Sequence, residues 1–183
     1  MISKTSAIKT LAMAIPVAVL VGCGSDDDDK GPLSLNILHI NDHHSHLEQD
    51  SVTLDIAGQA TEFSSGGFPR VVAQIAAREA QLDNVLTLHA GDALTGTLYF
   101  SSFEGEADAA LMNQVCFDAF ALGNHEFDRG DSGLKDFLDD LHSGSCQTPV
   151  LAANVIPQVG TPLAPQNSDD YIKPYEIFEV DGH

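Results

Sequence analysis

Basic residues are scarce in this sequence of 183 residues, which has 8 Lys and Arg against 27 Asp and Glu and a formal net charge of −19. The shortage argues against a nucleic-acid partner, because phosphate backbones are bound by basic surfaces. If a substrate carries phosphate, bound cations must reverse the local charge. A hydrophobic content of 43% is enough for a packed core, and the length fits one domain or part of a larger one.

The sequence also lacks an apolar run that spans a bilayer comfortably, since a spanning helix needs about 20 apolar residues. The short apolar run 11–21 follows two lysines and ends in the small residues Gly22 and Cys23. A basic start, a short apolar segment and a small-residue end are typical of an export signal. Residues 1–22 are therefore predicted to be a signal peptide.

Residues 20–23 resemble the lipobox of bacterial lipoproteins, which implies cleavage before Cys23 and attachment of lipid to its thiol. An ordinary cysteine in a secretory signal is the alternative. Gly24 follows the cysteine, which by the same resemblance favours the outer membrane if the source is Gram-negative. We therefore expect an exported protein that a lipid anchor at Cys23 holds in the bacterial cell envelope, on the periplasmic or surface side.

Residues 23–32 are predicted to be a flexible acidic linker, because their run of four Asp and a Lys has no apolar content. The same run also looks like an enteropeptidase tag, but its position directly after the lipobox favours a natural linker. Residues 33–183 are then the folded part.

Strand and helix patterns alternate along the folded part. Short apolar runs predict strands, and apolar residues spaced by three, four and seven predict helices. The predicted strands are 33–40 (buried on both faces), 85–89, 117–122, 149–155 and 175–180; the predicted helices start at Phe68 and cover 106–115 and 133–141. Residues 48–67 and 93–103 are predicted as loops, and 181–182 as a turn. This alternation indicates an α/β fold with a mostly parallel sheet and flanking helices.

A cluster of polar residues follows each of the first three predicted strands, at 41–44, 89–92 and 121–128. Ligands gather beyond the carboxyl ends of the strands in parallel sheets, so the clusters are expected to meet. Asp42 and His44 are two residues apart and can point the same way. An isolated Asp-x-His at a strand end is usually only a turn, but three clusters in this order predict a metal site.

The residue types suit two divalent metal ions. Carboxylate and neutral imidazole ligands suit zinc, manganese or iron, and they do not decide between these metals. Asp92 could bridge two ions about 4 Å apart, and Asn124 offers an amide oxygen to the second ion. Gly91 and Gly123 let the backbone turn tightly beside them.

His125 follows Asn124 directly, and Asp128 comes three residues later. This spacing lets the carboxylate orient the imidazole and raise the pKa of His125. A histidine held in this way is suited to stabilise or protonate a leaving oxygen.

The remaining histidines are expected to have structural roles. His39 and His89 lie within apolar runs, which is typical of core histidines with satisfied hydrogen bonds. His43 and His46 flank the ligand pair, where a structural role is favoured over a substrate contact. His142 is predicted to lie at the surface.

Two segments, 35–47 and 117–128, resemble the signature segments of the bacterial and ecto-5'-nucleotidase family, within the calcineurin-like metallophosphoesterases. The resemblance implies a two-metal centre with four ligands, which are Asp42, His44, Asp92 and Asn124. Asp92 is implied to bridge the two ions. It also implies a catalytic dyad of His125 and Asp128. The family activity is hydrolysis of nucleoside 5'-phosphates and related phosphate esters, in nucleotide catabolism and salvage.

Other parts of the family pattern are not found. The family takes further His or Gln ligands from Gly-His motifs in a later half of its metal domain, and Gly182-His183 falls at a predicted turn instead. The family's base-stacking C-terminal domain is also missing from the sequence. The resemblance therefore predicts the first half of an αββα sandwich, in a fragment of a longer protein. We expect the 183-residue chain alone to bind metal weakly and not to turn over substrate.

Two alternative functions are left open. Relatives that share both segments act on UDP-sugars, 2',3'-cyclic nucleotides or thiosulfonate esters, and the domain that would discriminate between these substrates is not in the sequence. A metal-binding surface lipoprotein without catalysis is the other alternative, although metal binding alone does not need His125 and Asp128. The oligomeric state is not predicted.

Besides Cys23, the sequence contains Cys116 and Cys146. Export permits a disulfide, and both residues lie near the amino ends of adjacent predicted strands. A disulfide and two free thiols are both left open. Neither cysteine is expected to be a nucleophile, because the predicted ligands lie at the opposite end of the sheet.

Overall fold

The computed structural model describes residues 31–165 and 172–183 of the chain. The predicted signal peptide, Cys23 and most of the acidic linker lie outside the described residues. From Pro32 to His183 the chain forms one compact unit. None of the helices among the described residues has the length and apolar character needed to cross a membrane.

Strands and helices alternate over much of this unit, with a hairpin after the first strand. In chain order the elements are β1 (Asn36–Ile40), β2 (Gln49–Ile56), β3 (Gln59–Gly66), α1 (Phe68–Glu79), β4 (Val85–His89), α2 (Leu98–Phe103), α3 (Glu106–Val115), β5 (Ala119–Ala121), α4 (Gly130–Ser143), β6 (Val150–Leu151) and β7 (Ile172–Lys173). A single 3₁₀ turn, His125–Phe127, lies between β5 and α4.

The main sheet has five strands in the order β1-β4-β5-β6-β7, and every neighbouring pair is parallel. This arrangement confirms the predicted α/β fold with a mostly parallel sheet and flanking helices. Ile40 at the end of β1 pairs with His89 at the end of β4. The carboxyl ends of β1, β4 and β5 therefore lie at one edge of the sheet, where the three polar clusters follow them.

The hydrophobic core joins the sheet to the helices. Helix α4 buries Leu134, Phe137, Leu138 and Leu141 completely, as their spacing of three and four predicts. Phe120 of β5 is also fully buried, and its ring meets that of Phe137 edge to face at 6.0 Å. Burial of each such side chain contributes roughly 1.5–3 kcal/mol, so this packing attaches α4 firmly to the sheet.

Helix α1 begins at Phe68, as predicted, and has Pro69 in its first turn. Proline suits that position because its missing N–H would have no partner within the helix. Gly67 precedes the helix at φ 90°, in the left-handed region that favours glycine. Phe68 and Ile75 are the buried residues of the helix, so one stripe of α1 faces the core.

Residues 48–67 form mainly an antiparallel hairpin of β2 and β3, so the loop prediction was wrong there. Ala57 and Gly58 make its turn with φ of 54° and 82°, which matches the positive φ values of a tight hairpin turn. The alternation of Val52, Leu54 and Ile56 is the strand signal, and it is weak because these side chains stay 37–52% exposed. Backbone pairing rather than burial forms this element.

Two predictions for the main sheet were also wrong. Strand β1 is not buried on both faces: its residues alternate between half-buried and exposed, because Leu38 and Ile40 pack against the core while Ile37 points to the opposite face of the sheet. The predicted strand 175–180 does not form, and the short β7 precedes it. The turn predicted at 181–182 is present, where Val180 and His183 exchange backbone hydrogen bonds of 3.0 and 2.9 Å.

The loop prediction for 93–103 was partly wrong, and the other differences concern the lengths of elements. The predicted loop 93–103 contains α2. Thr97 caps this helix, because its hydroxyl accepts the backbone N–H of Tyr99 at 3.2 Å. Strands β5 and β6 are shorter than predicted, and α4 begins at Gly130, before the predicted start. Helix α3 has the predicted bounds.

Candidate metal centre

The loops after β1 and β4 are joined to each other by backbone hydrogen bonds beyond the ends of the strands. Asp42 donates its N–H to Gly91 O at 2.9 Å, and His44 donates its N–H to Asp92 O at 3.2 Å. Ser45 continues the pattern with an N–H donated to Ala93 O at 2.8 Å. The pairing of the two strands therefore extends into the loops and sets Asp42 and His44 beside Asp92.

Several non-glycine residues of these loops have left-handed backbone conformations. Asp42, His44, Ser45 and Asp92 have φ between 48° and 52°, which is uncommon for residues other than glycine. Such conformations cost about 1–3 kcal/mol each and cluster at functional sites. Surrounding hydrogen bonds hold the loops in this arrangement.

His44, Asp92 and His125 come together at the carboxyl edge of the sheet. Each offers one ligand atom, and the three atoms all lie within 4.8 Å of one another. The rings of His44 and His125 meet edge to face with centroids 4.9 Å apart. Asp42 lies beside them, with Oδ1 3.6 Å from His44 Nε2. These nitrogen and carboxylate donors fit a divalent transition metal.

The predicted ligand Asn124 lies at the start of the 3₁₀ turn, next to His125. Its backbone oxygen accepts the N–H of Phe127 at 3.2 Å. His125, predicted as catalytic, is itself a member of the three-residue cluster. The division of roles between Asn124 for metal and His125 for chemistry remains a prediction.

The pair His125 and Asp128 has the predicted hydrogen bond, with 2.7 Å between His125 Nδ1 and Asp128 Oδ2. The 3₁₀ turn brings the two side chains together across three residues. The hydrogen bond with Asp128 raises the pKa of His125, and the same bond lowers the pKa of Asp128. His125 also donates its backbone N–H to Asp92 Oδ1 at 3.0 Å, which links the pair to the loop after β4.

Glu126 is a functional candidate that the sequence reasoning missed. Its carboxylate is 1% exposed and accepts four backbone N–H groups at 2.6–3.4 Å, from Asp92, Ala93, Leu94 and Gly123. Acidic side chains are seldom fully buried, so nothing in the sequence separates Glu126 from a solvated residue. The structure shows that it ties the loop after β4 to the loop after β5.

Gly91 and Gly123 are needed for close approach of these two loops. A Cβ on Gly91 would lie 2.7 Å from the nitrogen of Gly123, and a Cβ on Gly123 would lie 2.6 Å from the nitrogen of Asp92. Gly91 has φ of 98°, in the region that favours glycine. Backbone crowding thus explains both glycines.

The other histidines divide into buried and exposed groups. His89 is a buried core histidine, as predicted, and burial lowers its pKa to about 3. His39 is exposed, so its core prediction was wrong, because alternate residues of the edge strand β1 face outwards. His46 is exposed and pairs with Asp50 at 2.9 Å. His142 is half-buried, and its Nε2 lies 3.0 Å from Thr148 O.

A disulfide joins Cys116 and Cys146 at the amino ends of β5 and β6, with their Cα atoms 5.2 Å apart. The cluster of His44, Asp92 and His125 lies at the carboxyl ends of the strands. The disulfide is therefore placed to stabilise the sheet rather than to take part in chemistry.

The structure thus combines a mostly parallel α/β sheet with a candidate metal site of histidine and carboxylate side chains at its carboxyl edge. Residues 35–183 match the calcineurin-like phosphoesterase family. The chain belongs to this family, as its two signature segments predict.

Curated relatives include 5'-nucleotidases. A probable 5'-nucleotidase of Treponema pallidum is 50% identical over 144 residues, which are 79% of this chain and 23% of the relative. The NAD 5'-nucleotidase of Haemophilus influenzae is 49% identical over 150 residues, which are 82% of this chain and 23% of the relative.

Solved structures show the same fold. The NAD nucleotidase of Haemophilus influenzae superposes with a TM-score of 0.72 at 49% identity, over 81% of this chain and 27% of that one. A 5'-nucleotidase precursor of Thermus thermophilus has a TM-score of 0.64 at 37% identity, over 81% of this chain and 26% of that one. The chain thus spans about a quarter of the length of these relatives.

Proposed function

We propose that the chain contributes the first part of the site of a two-metal-dependent phosphoric monoester hydrolase that acts on nucleoside 5'-phosphates. The observation that carries the proposal is the meeting of His44, Asp92 and His125 within 4.8 Å, beside the His125–Asp128 pair. The 5'-nucleotidase relatives support the substrate class. The reaction would serve nucleotide catabolism or salvage outside the cytoplasm.

Four side chains would hold the metal ions: Asp42, His44, Asp92 and Asn124. Asp92 would hold metal together with ligands from both neighbouring loops, which its backbone oxygen and its side chain contact. When bound, divalent cations polarise a phosphoryl oxygen and offset the negative charge of the phosphate. The need for bound cations agrees with the net charge of −19, because the chain has few cationic side chains to bind phosphate.

His125 would act on the leaving oxygen of the ester. Its Nδ1 is bound to Asp128, which fixes the orientation of the ring. In this position the imidazole is suited to donate a hydrogen bond or a proton to that oxygen. Glu126 would keep the loops of Asp92 and Gly123 at a constant separation while this happens.

The test is made in a full-length enzyme that contains this chain. His125→Ala should lower AMP hydrolysis sharply while bound metal, measured by elemental analysis, stays nearly unchanged. His39→Ala, an exposed histidine of β1, serves as the matched control and should leave both quantities unchanged. Parallel loss of metal and activity in His125→Ala would instead favour a metal-binding role.

The substrate is tested with the same enzyme. AMP is compared with NAD, because one relative is an NAD 5'-nucleotidase, and with a UDP-sugar, a 2',3'-cyclic nucleotide and a thiosulfonate ester. For the 183-residue chain alone we expect weak metal binding and no turnover. Metal-dependent AMP hydrolysis by the purified chain would contradict that expectation.

We also propose export and lipid anchoring at Cys23, on the strength of the signal pattern in residues 1–22. Expression in a Gram-negative host with a labelled fatty acid should label the protein and place it in the membrane fraction. Cys23→Ser should lose the label. Equal labelling of both proteins would contradict anchoring at this residue.

A further inference from the structure

Asp108, His43 and His89, which we call the buried imidazole chain, are joined by hydrogen bonds and end at a backbone amide. His43 Nε2 lies 2.9 Å from Asp108 Oδ1, and His43 Nδ1 lies 2.9 Å from His89 Nε2. The other nitrogen of His89, Nδ1, accepts the backbone N–H of Gly91 at 3.1 Å. The buried imidazole chain thus runs from α3 to Gly91, the residue that precedes Asp92.

The buried imidazole chain is shielded from water. Asp108 is 0% exposed and His89 is 1% exposed. The ring of His43 packs edge-on against Phe68 at 4.9 Å, and that of His89 packs edge-on against Phe117 and Phe120 at 5.2 and 5.1 Å. A polar network in such surroundings is stable when every member has a partner, as here.

The hydrogen bonds of the buried imidazole chain have a single possible direction. A backbone N–H only donates, so His89 Nδ1 accepts and carries no proton, and the proton of the neutral ring is on Nε2. That Nε2–H donates to His43 Nδ1. If His43 Nδ1 instead donated in this bond, His89 would have to accept at both ring nitrogens, which an imidazole with one proton does not do. His43 Nδ1 is therefore the acceptor in this bond, and the Nε2–H of His43 donates to Asp108.

Asp108 also holds the other neighbour of His44. The Ser45 hydroxyl donates to Asp108 Oδ2 at 2.9 Å, and His43 donates to Oδ1. Both residues that flank the candidate ligand His44 are therefore bound to one carboxylate. Asp108 lies in the first turn of α3, where the helix dipole favours a negative charge.

The loop after β4 is held at the opposite end of the buried imidazole chain. Gly91 donates its N–H to His89, and its carbonyl oxygen accepts the N–H of Asp42 at 2.9 Å. Both sides of the residue before Asp92 are thus bound. The ligand-bearing loops are connected through the core as well as through their own backbone contacts.

We propose that the buried imidazole chain positions the two loops that carry the candidate metal ligands, with Asp108 as its anchor on α3. These three side chains are positioning residues and need not contact metal or substrate. The inference rests on the proposed metal centre, because the position of the loops matters to function only if their side chains bind cations.

The first test uses the unmodified chain without metal. Nitrogen-15 NMR of the histidine rings should find the ring proton on Nε2 of both His43 and His89, as the hydrogen bonds require. A merely space-filling role would not require one tautomer at both rings. A proton on Nδ1 of either ring would overturn the proposal independently of any hydrolytic activity.

The second test compares two variants by their affinity for Zn²⁺, measured by competition with a chromophoric chelator. Asp108→Asn removes the charged acceptor and should weaken Zn²⁺ binding about tenfold, as loss of an outer partner of a metal site does. Asp118→Asn is the matched control, because Asp118 accepts a backbone N–H from Thr87 at 2.8 Å near the opposite edge of the sheet. Its Zn²⁺ affinity should not change.

Equal Zn²⁺ affinity of the two variants, with folding verified by circular dichroism, would overturn the proposal. If Asp108→Asn does not fold, Ser45→Ala takes its place in the test. Ser45→Ala removes one donor to Asp108 and should weaken Zn²⁺ binding by a smaller factor. An unchanged Zn²⁺ affinity of Ser45→Ala would again overturn the proposal. A wild-type chain that binds no Zn²⁺ would count against the proposed metal centre, while the ring tautomers would still decide whether the buried imidazole chain is connected as proposed.

Discussion

At the amino edge of the parallel sheet, polar side chains bind backbone groups. At the carboxyl edge, several polar side chains instead point their ligand atoms towards one another. At the amino edge, Asn36 donates to Asp83 O at 2.8 Å, Asn84 donates to Ser34 O at 3.1 Å, and a disulfide links β5 to β6. At the carboxyl edge, Glu126 binds the backbone of two loops, and three ligand atoms meet within 4.8 Å.

The comparison shows that polar residues alone do not identify a site. Both edges have tight turns and carboxylates, and both use side chains to close the backbone. What differs is that the backbone of the carboxyl edge is held by Glu126 and by the buried imidazole chain. These supports let His44, Asp92 and His125 lie close together.

The largest effect is expected for Glu126→Ala. Four backbone N–H groups would lose a buried charged acceptor, and unfolding free energy should fall by about 3 kcal/mol or more. Urea denaturation measures the loss. Glu62→Ala, on the exposed hairpin, is the control and should change stability by less than about 0.5 kcal/mol. Similar small changes in both variants would mean that Glu126 does not hold the loops together.

The second prediction concerns the amino edge. The disulfide closes a loop with a sequence separation of 30, and its removal in the double variant Cys116→Ser, Cys146→Ser should cost about 3 kcal/mol. Zn²⁺ affinity of the folded variant should stay unchanged, because the bond lies far from the ligands along the strands. A fall in Zn²⁺ affinity, measured at full folding, would erase the distinction between the edges.

The third prediction is a pH dependence that arises from His89. Its folded-state pKa is lowered from 6.5 to about 3 by burial, so below 6.5 the unfolded chain binds a proton that the folded chain does not. Stability from this group is therefore present above 6.5 and lost as pH falls towards 3, by about 1.4 kcal/mol per pH unit.

Urea midpoints measured at about pH 7 and about pH 5 check this slope, with His89→Gln as the variant that does not titrate. The wild-type chain should lose more stability than His89→Gln over this interval. Equal losses would show that the ring is protonated in the folded chain, and the buried end of the carboxyl-edge network would then be open to water.

The smallest effect is expected for Asp128→Asn, at the exposed rim of the carboxyl edge. Asp128 raises the pKa of His125 through their hydrogen bond, so the substitution should lower that pKa. Proton NMR titration of the metal-free chain measures the change, and stability should change little. Asp50→Asn, which removes the exposed partner of His46, should leave the pKa of His125 where it is. An unchanged pKa in Asp128→Asn would contradict the pairing.

Local spacing made the central parts of the site predictable. The apolar runs before residues 41, 89 and 121 predicted neighbouring strands, and parallel order then required their carboxyl ends to meet. The three-residue spacing of His125 and Asp128 predicted their hydrogen bond in the same way. These contacts follow from short-range geometry, which sequence patterns describe well.

Other parts depend on contacts between distant residues and could not be predicted. Glu126 belongs to the signature segment, yet its burial follows from the loop after β4 lying over it. His43 was expected to be structural, but its partners Asp108 and His89 are 65 and 46 residues away. The hairpin was missed because its apolar side chains remain exposed, so the usual link between strand pattern and burial fails there.

The sequence by itself determined the α/β class, the edge of the sheet at which ligands gather, and the residue types that suit a divalent metal. Only the tertiary structure decided which side chains support that edge: Glu126 between the loops, and Asp108, His43 and His89 through the core. The physical reason is that a metal ligand is recognised by its chemical type and its place at a strand end. A supporting side chain is recognised only by the donors that folding brings to it.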